Sequence, residues 1–191
     1  MDPKFLTSAA QPGGFPDDSG VEVAVVGRSN SGKSSAINRL VGARKLARVS
    51  RTPGRTQLIN FFELGPDRRL VDLPGYGFAR VPDGVRRQWE SLIRAYFEQR
   101  QTLAGLIVTV DVRRGFRDLD LAMFDWAEGL QVPVLALLSK SDKLSRGAGI
   151  RERDRLNRLA PGHVEVLLFS ATVGTGADTG RQRLSEWLEM S

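Results

Sequence analysis

The residues best suited to chemistry form one run, Gly27-Arg-Ser-Asn-Ser-Gly32-Lys33-Ser34. It matches the phosphate-loop pattern, in which Gly and four further residues precede Gly-Lys-Ser/Thr. Glycine permits open backbone angles, so successive N–H groups can point inward around an anion. Lys33 is predicted to reach the β- and γ-phosphates, and the Ser34 hydroxyl to bind Mg²⁺. The run therefore predicts a nucleoside triphosphate site, and by itself it leaves ATP and GTP both open.

The segments on either side of this run have the pattern that a phosphate loop requires. Residues 21–26 form a short, β-branched apolar run that predicts a buried strand ending at Gly27. The apolar residues between Lys33 and Val41 have helical spacing and predict a helix. The first turn of such a helix carries a partial positive charge that stabilises bound phosphate.

A second motif, Asp72-Leu-Pro-Gly75, comes at the end of an apolar strand predicted at 69–73. An Asp in this position can hold Mg²⁺ through a water molecule, and the Gly N–H can sense the γ-phosphate. The tetrapeptide alone is a weak signal, because most sequences of this form are ordinary turns. Its position in the chain, after the phosphate loop, supports its assignment as a GTPase-type motif.

A third motif, Ser139-Lys140-Ser141-Asp142, resembles the Asn/Thr-Lys-x-Asp sequence that specifies guanine. Asp142 is predicted to accept hydrogen bonds from guanine N1 and the exocyclic amine, and a site built for those donors rejects adenine. The stem of Lys140 is expected to lie along the base. Ser139 keeps the hydroxyl of the usual Thr but loses a methyl group, so we expect weaker packing and no change of base.

Two shorter segments complete the set. In Ser170-Ala171-Thr172, after the last predicted strand, the middle backbone N–H is expected to meet guanine O6. Thr52-Pro-Gly54-Arg-Thr56-Gln57 lies between the phosphate loop and Asp72. A Thr there can complete the Mg²⁺ shell only when the γ-phosphate is present, which makes this segment a predicted switch.

The rest of the chain alternates between strand-like and helix-like segments, which predicts an α/β fold with a mostly parallel sheet covered on both faces. Residues 1–20, rich in Pro, Gly, Ser and Asp, are predicted to be a tail or loop on the surface of a single domain, 21–191. The remaining apolar runs that predict strands are 58–64, 105–110, 133–138 and 164–169, and helical spacing occurs in 85–97, 119–130, 147–160 and 184–188.

Composition excludes several other kinds of site. The 191 residues include no cysteine and one histidine, His163, which excludes disulfides, thiolate metal sites and a cysteine nucleophile and argues against a Ser-His-Asp triad. No apolar stretch approaches ~18 residues and no secretory signal is evident, so neither membrane insertion nor export is expected. A cytoplasmic protein fits these features.

The net charge of +6 favours a polyanionic partner. Between Leu40 and Phe62 the sequence has five basic residues and no acidic one, and this window is predicted to contact nucleic-acid phosphates. A second basic group follows Asp72, and a third, on the helix predicted at 147–160, is interpreted as a solvated face. The three groups are Arg44, Lys45, Arg48, Arg51 and Arg55; Arg86, Arg87, Arg94 and Arg100; and Arg151, Arg153, Arg155 and Arg158.

With these motifs identified, the chain closely resembles the EngB (YihA/YsxC) family of bacterial ribosome-biogenesis GTPases. The resemblance covers nearly all of the chain from about Val21. It rests on the segments Gly27–Ser35, Thr52–Phe62 and Val71–Gly77, and continues through Arg100-Gln-Thr-Leu and Asp118-Leu-Asp120.

The resemblance implies a Ras-like P-loop GTPase domain with a six-stranded, mostly parallel sheet, one antiparallel strand and about five helices. It also implies slow hydrolysis of Mg²⁺-GTP. The implied partner is the large ribosomal subunit or its precursor, including both rRNA and ribosomal proteins. The protein is expected to be a monomer. Lys33, Thr56 and Gly75 are the expected catalytic residues, and Ser34, Thr56 and, through water, Asp72 the expected Mg²⁺ ligands. The expected GTP/GDP site is Gly27, Arg28, Ser29, Asn30, Ser31, Gly32, Lys33, Ser34, Ser35, Gly54, Thr56, Asp72, Gly75, Ser139, Lys140, Asp142, Ser170, Ala171 and Thr172.

Two positions in these motifs bear on the mechanism. Tyr76 stands where Ras-type enzymes place a Gln that orients the attacking water, so intrinsic hydrolysis is expected to be slow and acceleration to come from elsewhere. Asn30 makes the phosphate loop resemble those of GTPases that bind K⁺, which could offset charge in the transition state. Asn30 is therefore a candidate K⁺ ligand, and an Asn that merely stabilises the loop is the alternative.

Two other functions compete with an assembly GTPase. A regulatory G protein with only protein partners is disfavoured by the acid-free basic window and by the lack of a cysteine for lipidation. An ATP-dependent kinase or ATPase is disfavoured by Asp142 in its Ser-Lys-x-Asp context.

Overall fold

The computed structural model describes residues 3–43, 45–47, 58–77 and 83–189, apart from the side chains of Asp83 and Val85. These residues form a single sheet with helices on both faces. The strands are β1 (Lys4–Ala9), β2 (Val21–Gly27), β3 (Ile59–Gly65), β4 (Arg68–Asp72), β5 (Leu103–Asp111), β6 (Val134–Ser139) and β7 (Val164–Leu168). The helices are α1 (Lys33–Val41), α2 (Asp83–Gln99), α3 (Asp118–Gly129), α4 (Arg146–Leu159) and α5 (Ala177–Leu188), with 3₁₀ turns at Pro12–Gly14 and Ser141–Lys143.

The sheet has the strand order β1-β3-β4-β2-β5-β6-β7. Only β3 runs against its neighbours, since it pairs antiparallel with both β1 and β4 while β2, β4, β5, β6 and β7 pair in parallel. The predicted α/β class, the single antiparallel strand and the five helices are confirmed for the described residues.

The predicted strand count of six is wrong, because the described part of the chain already forms a seven-stranded sheet. The additional strand is β1, in the segment predicted to be a tail or loop. It lies at the sheet edge, where pairing with β3 holds it although only Ala9 is buried and Phe5 and Leu6 are exposed. Because β1 buries no apolar face, its sequence has no alternation from which a strand could be predicted.

The core consists of two apolar layers, one on each face of the sheet. Along β2, alternate residues face opposite layers, with Ala24 and Val26 in one and Val23 and Val25 in the other. Burial on both faces explains why this strand is continuously apolar. Trp89 and Trp187 are buried and Trp126 is partly buried against the core, as a packing role for the tryptophans predicts. None of the described helices is long and apolar enough to cross a membrane.

A buried ion pair lies at the amino-terminal end of β2. The Glu22 carboxylate is inaccessible to solvent and accepts hydrogen bonds from Arg100 Nη2 at 2.5 Å and Nε at 3.1 Å, and from the Tyr96 hydroxyl at 3.1 Å. Arg100 Nη1 also donates to the Pro16 carbonyl at 2.8 Å. Burial, with Glu22 nearby, raises the pKa of Tyr96 well above its ordinary value. Arg100, a member of the second basic group, is therefore buried.

We expect Arg100→Met to lower the free energy of unfolding by about 3 kcal/mol, because the buried Glu22 carboxylate loses its two Arg100 hydrogen bonds and keeps only Arg69, at 3.2 Å, as a cationic partner. Urea denaturation at neutral pH measures the change. Arg94→Met, at an exposed position of α2, is the matched control and should change stability by no more than about 0.5 kcal/mol. Equal effects of the two substitutions would contradict this assignment of Arg100.

Candidate nucleotide-binding site

The phosphate loop connects the end of β2 to the start of α1. Gly32, just before α1, has φ 93°, and Asn30 has φ 62°, so both are in the left-handed region. Glycine adopts that region without steric cost, and Asn is among the few other residues enriched there. The Ser31 N–H donates to the Arg28 carbonyl at 2.9 Å and closes the loop on itself.

Thr109, two residues before the end of β5, holds the loop from one side. Its hydroxyl lies 2.7 Å from the Ser31 hydroxyl and 3.2 Å from the Val26 carbonyl. A Cβ atom on Gly27 would overlap the Thr109 hydroxyl, so only glycine fits at the first position of the motif. Sequence reasoning missed Thr109, and its only signal was a hydroxyl within an otherwise apolar strand.

Asp72 lies at the end of β4, beside the phosphate loop. Its carboxylate forms an ion pair with Lys33 Nζ, and Asn60 Nδ2 lies 3.4 Å from its other oxygen. The Asp72 carboxylate and the Ser34 hydroxyl are oxygen donors of the kind that Mg²⁺ prefers. Among the described residues no three His, Cys, Asp or Glu side chains form a metal cluster, and an Mg²⁺ site that relies on phosphates and water needs only one or two protein ligands.

The turn that contains Gly75 is bonded directly to the phosphate loop. The Tyr76 N–H donates to the Gly27 carbonyl at 3.2 Å, and the Ser29 N–H donates to the Tyr76 carbonyl at 2.7 Å. A Cβ atom on Gly75 would lie 3.3 Å from the Gly27 carbonyl oxygen. These contacts bring Gly75 against the phosphate loop, where the sequence predicts a sensor of the γ-phosphate.

The motif predicted to bind guanine is attached to the other side of the loop. The Ser139 hydroxyl donates to the Ser31 carbonyl and lies 3.1 Å from the Val110 carbonyl. Lys140 Nζ donates to the Asn30 carbonyl at 2.5 Å. Ser139 therefore contacts the phosphate loop through its hydroxyl, which is the group that it has in common with the usual Thr.

Asp111, which ends β5, was missed by sequence reasoning although it ends an apolar strand as Asp72 does. Its carboxylate accepts hydrogen bonds from Arg113 Nη2 at 2.7 Å and from Lys140 Nζ at 3.0 Å. Hydrogen bonds from Arg113, and then from Lys140, hold the pKa of Asp111 well below its ordinary value. Asp111 therefore stays ionised and orients Lys140.

The second and third guanine motifs meet at a hydrogen bond. The Ser170 hydroxyl donates to Asp142 Oδ1 at 2.6 Å and lies 3.2 Å from the Val173 backbone nitrogen. This bond from Ser170 lowers the pKa of Asp142 below its ordinary value, so the carboxylate is an ionised acceptor, as guanine recognition requires. Ala171 and Thr172 lie in the turn that follows.

The structure therefore brings most of the predicted site together at the carboxyl ends of β2, β4 and β6 and beyond β7. Ser34 and Ser35 lie in the first turn of α1, and Ser35 is exposed. Gly54 and Thr56, together with the basic residues Arg44, Arg48, Arg51 and Arg55, lie outside the described residues. The roles of all these residues towards a nucleotide stay predictions.

Comparison with known proteins identifies the family. A family model described as 50S ribosome-binding GTPase matches residues 22–140. A probable GTP-binding protein EngB of Enterobacter sp. (strain 638) is 48% identical over 186 residues, which covers 96% of this chain and 89% of that protein. The chain belongs to the EngB family of GTP-binding proteins. EngB relatives of Pasteurella multocida and Nitrosococcus oceani are 47% and 50% identical over 96% and 91% of the chain, and 91% and 88% of their own lengths.

Solved structures agree with this EngB-family fold. A crystal structure of a probable EngB protein superposes with a TM-score of 0.69 at 23% identity, covering 90% of this chain and 100% of that one. Era of Aquifex aeolicus bound to GDP and AlF₄⁻ superposes with a TM-score of 0.68 at 22% identity, covering 91% and 58% of the two chains. At this level of identity the likeness establishes the fold.

Ser170→Ala should weaken GDP and GTP binding by about five- to tenfold, because Asp142 loses the hydrogen bond that orients it. Titration with fluorescent guanine and adenine nucleotides measures the change, and any weak ATP binding should stay constant. The control is Ser145→Ala, which removes the hydroxyl that accepts from Ala148 N–H at the start of α4. This control should cost about 1 kcal/mol of stability and leave affinity unchanged. Identical guanine affinities in the two variants would refute the role given to Ser170.

Proposed function

We propose that this EngB-family protein is a slow GTPase that acts as a nucleotide-gated assembly factor for the large ribosomal subunit. The observation that carries the proposal is the convergence of a phosphate loop, an Asp72 turn and a guanine motif in a chain that a 50S ribosome-binding GTPase model matches over residues 22–140. The proposal places the protein in the cytoplasm, as a monomer.

In the proposed complex with Mg²⁺-GTP, different residues bind the phosphates and the ion. Lys33 and the loop N–H groups hold the β- and γ-phosphates, while Ser34 and, through water, Asp72 hold the ion. Thr56 joins the ion only in the GTP state. When bound, Mg²⁺ would supply positive charge beside the phosphates, and the protein's part is to position Lys33, Ser34 and Asp72 around them.

Slow intrinsic hydrolysis follows from the side chain of Tyr76. It is 2% exposed, and its hydroxyl donates to Asp120 at 2.5 Å, inside the core. A buried phenol cannot orient water at the γ-phosphate as the Gln of Ras-type enzymes does. The group that accelerates hydrolysis is therefore proposed to come from the bound ribosomal particle.

The proposed rRNA contact is the basic window between Leu40 and Phe62. Lys45, the member that lies within the described residues, is exposed. Two hydrogen bonds between the Asn38 side chain and the backbone of Ala47, at 2.9 and 3.0 Å, hold the chain near α1 as the window begins. The window also contains Thr56, so phosphate contacts there would couple RNA affinity to the bound nucleotide.

Co-sedimentation with large ribosomal subunits on a gradient tests this function. The protein should sediment with the subunits in a non-hydrolysable GTP analogue and be released in GDP. Binding in neither state, with GTP affinity intact, would favour the regulatory G protein with protein partners instead.

The charge-reversal pair Arg48→Glu and Arg51→Glu should lower subunit binding at least tenfold and leave GDP affinity unchanged, because loss of phosphate contacts weakens binding steeply. The matched control carries the same charge change at Arg151 and Arg158, which are exposed on α4. Equal losses in the two pairs would attribute binding to net charge and not to the window.

K⁺ at the phosphate loop is part of the proposal. Asn30 has an exposed side chain whose amide oxygen is a suitable ligand, although its left-handed backbone accounts for an Asn there without any ion. Asn30→Gly separates the two explanations, because glycine keeps the left-handed geometry and removes the amide. If Asn30 binds K⁺, GTP turnover in the unaltered protein should be several-fold faster in K⁺ than in Na⁺, and this difference should vanish in the variant. Equal turnover of the unaltered protein in both salts would reject K⁺ at this site.

A further inference from the structure

A buried hydrogen bond connects the Gly75 turn to α3. The Tyr76 hydroxyl donates to Asp120 Oδ1 at 2.5 Å, and the two residues are 44 positions apart in the chain. Asp120 is fully buried in the first turn of α3, where its other oxygen accepts the Arg117 N–H at 2.9 Å. Asp120 thus joins the start of a helix to a side chain that follows the Asp72 motif.

The backbone of Tyr76 binds the phosphate loop at the same time. Its N–H and carbonyl form the two hydrogen bonds to Gly27 and Ser29 described above. The indole N–H of Trp89, in α2, donates to the Pro74 carbonyl at 3.1 Å, and its ring lies 6.0 Å from the Tyr76 ring. The residues on both sides of Gly75 are therefore held by contacts with the loop, α2 and α3.

These contacts have a consequence that depends on the proposed function, in which the Gly75 N–H contacts the γ-phosphate. GDP has no γ-phosphate for that N–H to contact, whereas GTP binding depends on the position of the N–H. A contact that holds the turn against the loop therefore contributes to the affinity for GTP and not to that for GDP. Only a contact with such unequal effects can shift the balance between two nucleotide states.

We propose that Tyr76 and Asp120 are positioning residues that hold the Gly75 turn against the phosphate loop and so raise the affinity for GTP relative to GDP. Tyr76 acts here through its hydroxyl and Asp120 through Tyr76, and neither touches the nucleotide. The position that carries a water-orienting Gln in Ras-type enzymes thus carries an anchor to α3.

The environment of the pair supports this role. Burial raises the pKa of the Asp120 carboxyl, while the Tyr76 hydrogen bond, the Arg117 backbone bond and the charges of Arg28 and Arg117 oppose the rise. Burial and the adjacent Asp120 also raise the pKa of Tyr76 well above its ordinary value, so the phenol stays protonated and remains the donor. Removal of the hydroxyl leaves a buried carboxyl with one hydrogen bond fewer, which weakens the connection to α3.

The test is Tyr76→Phe, with Tyr96→Phe as its matched control. Tyr96 is the other buried tyrosine whose hydroxyl donates to a buried carboxylate, that of Glu22, at the end of the sheet away from the site. Both variants lose the same kind of hydrogen bond, so both should lose stability. The dissociation constants for GDP and for a non-hydrolysable GTP analogue, with kcat and KM for GTP, are measured for each variant and the unaltered protein.

In Tyr76→Phe the affinity for the GTP analogue should fall by about tenfold, as expected for the loss of one buried hydrogen bond, while GDP affinity stays within about twofold. KM for GTP should rise in parallel. Tyr96→Phe should leave the ratio of the two affinities unchanged. An unchanged ratio in Tyr76→Phe, or the same change in both variants, would overturn the inference.

Asp120→Asn provides a second variant in case Tyr76→Phe does not fold. The amide oxygen can keep the Arg117 bond, and the amide nitrogen then faces the Tyr76 oxygen, so the connection to α3 becomes one between neutral groups. The affinity ratio should shift in the same direction by about threefold, and no shift would count against the inference. Failure of the unaltered protein to bind either guanine nucleotide would instead refute the proposed function, which separates the two failures.

Discussion

The attachment of the phosphate loop to the strands on both of its sides is the constraint on which the site depends. On one side Tyr76 gives two backbone hydrogen bonds to the loop, and on the other Thr109 and Ser139 contact Ser31 through their hydroxyls. Phosphoryl transfer relies almost entirely on position and electrostatics, so a loop with fixed neighbours is the main requirement for catalysis. The same contacts explain why Gly27 and Gly75 are glycines, since each lies where the chains approach most closely.

Helix α2 connects this site to the opposite end of the sheet. Near its start, Trp89 binds the Pro74 carbonyl beside Gly75, and just after its end Arg100 pairs with Glu22 at the start of β2. The Trp89 bond lies beside Gly75 and so helps to hold the turn. The buried ion pair lies at the end of the sheet away from the site, where it contributes to stability.

Sequence reasoning succeeded where the signal was local. The phosphate loop, the Asp72 turn and the guanine motif are short segments with fixed spacing, and six of the seven strands carry an apolar run. It failed where partners are distant in the chain. Arg100 was listed only as one of a group of basic residues because Glu22, its partner, is 78 positions away. Strand β1 was missed because it is held by an edge pairing and not by a buried face. Thr109 and Asp111 have roles that only the sheet register reveals.

The burial of Tyr76 changes how its motif is best understood. From the sequence it is the loss of a catalytic Gln, which bears only on the proposed slow rate of hydrolysis. In the structure its ring and hydroxyl fill the space between α2 and α3, so the position has a role of its own. A turn anchored in this way would hold GTP in a defined geometry, and under the proposed function hydrolysis needs a group from another molecule. Under the proposed function, that combination suits an assembly factor, because the GTP form persists until the ribosomal particle itself supplies what the turn lacks.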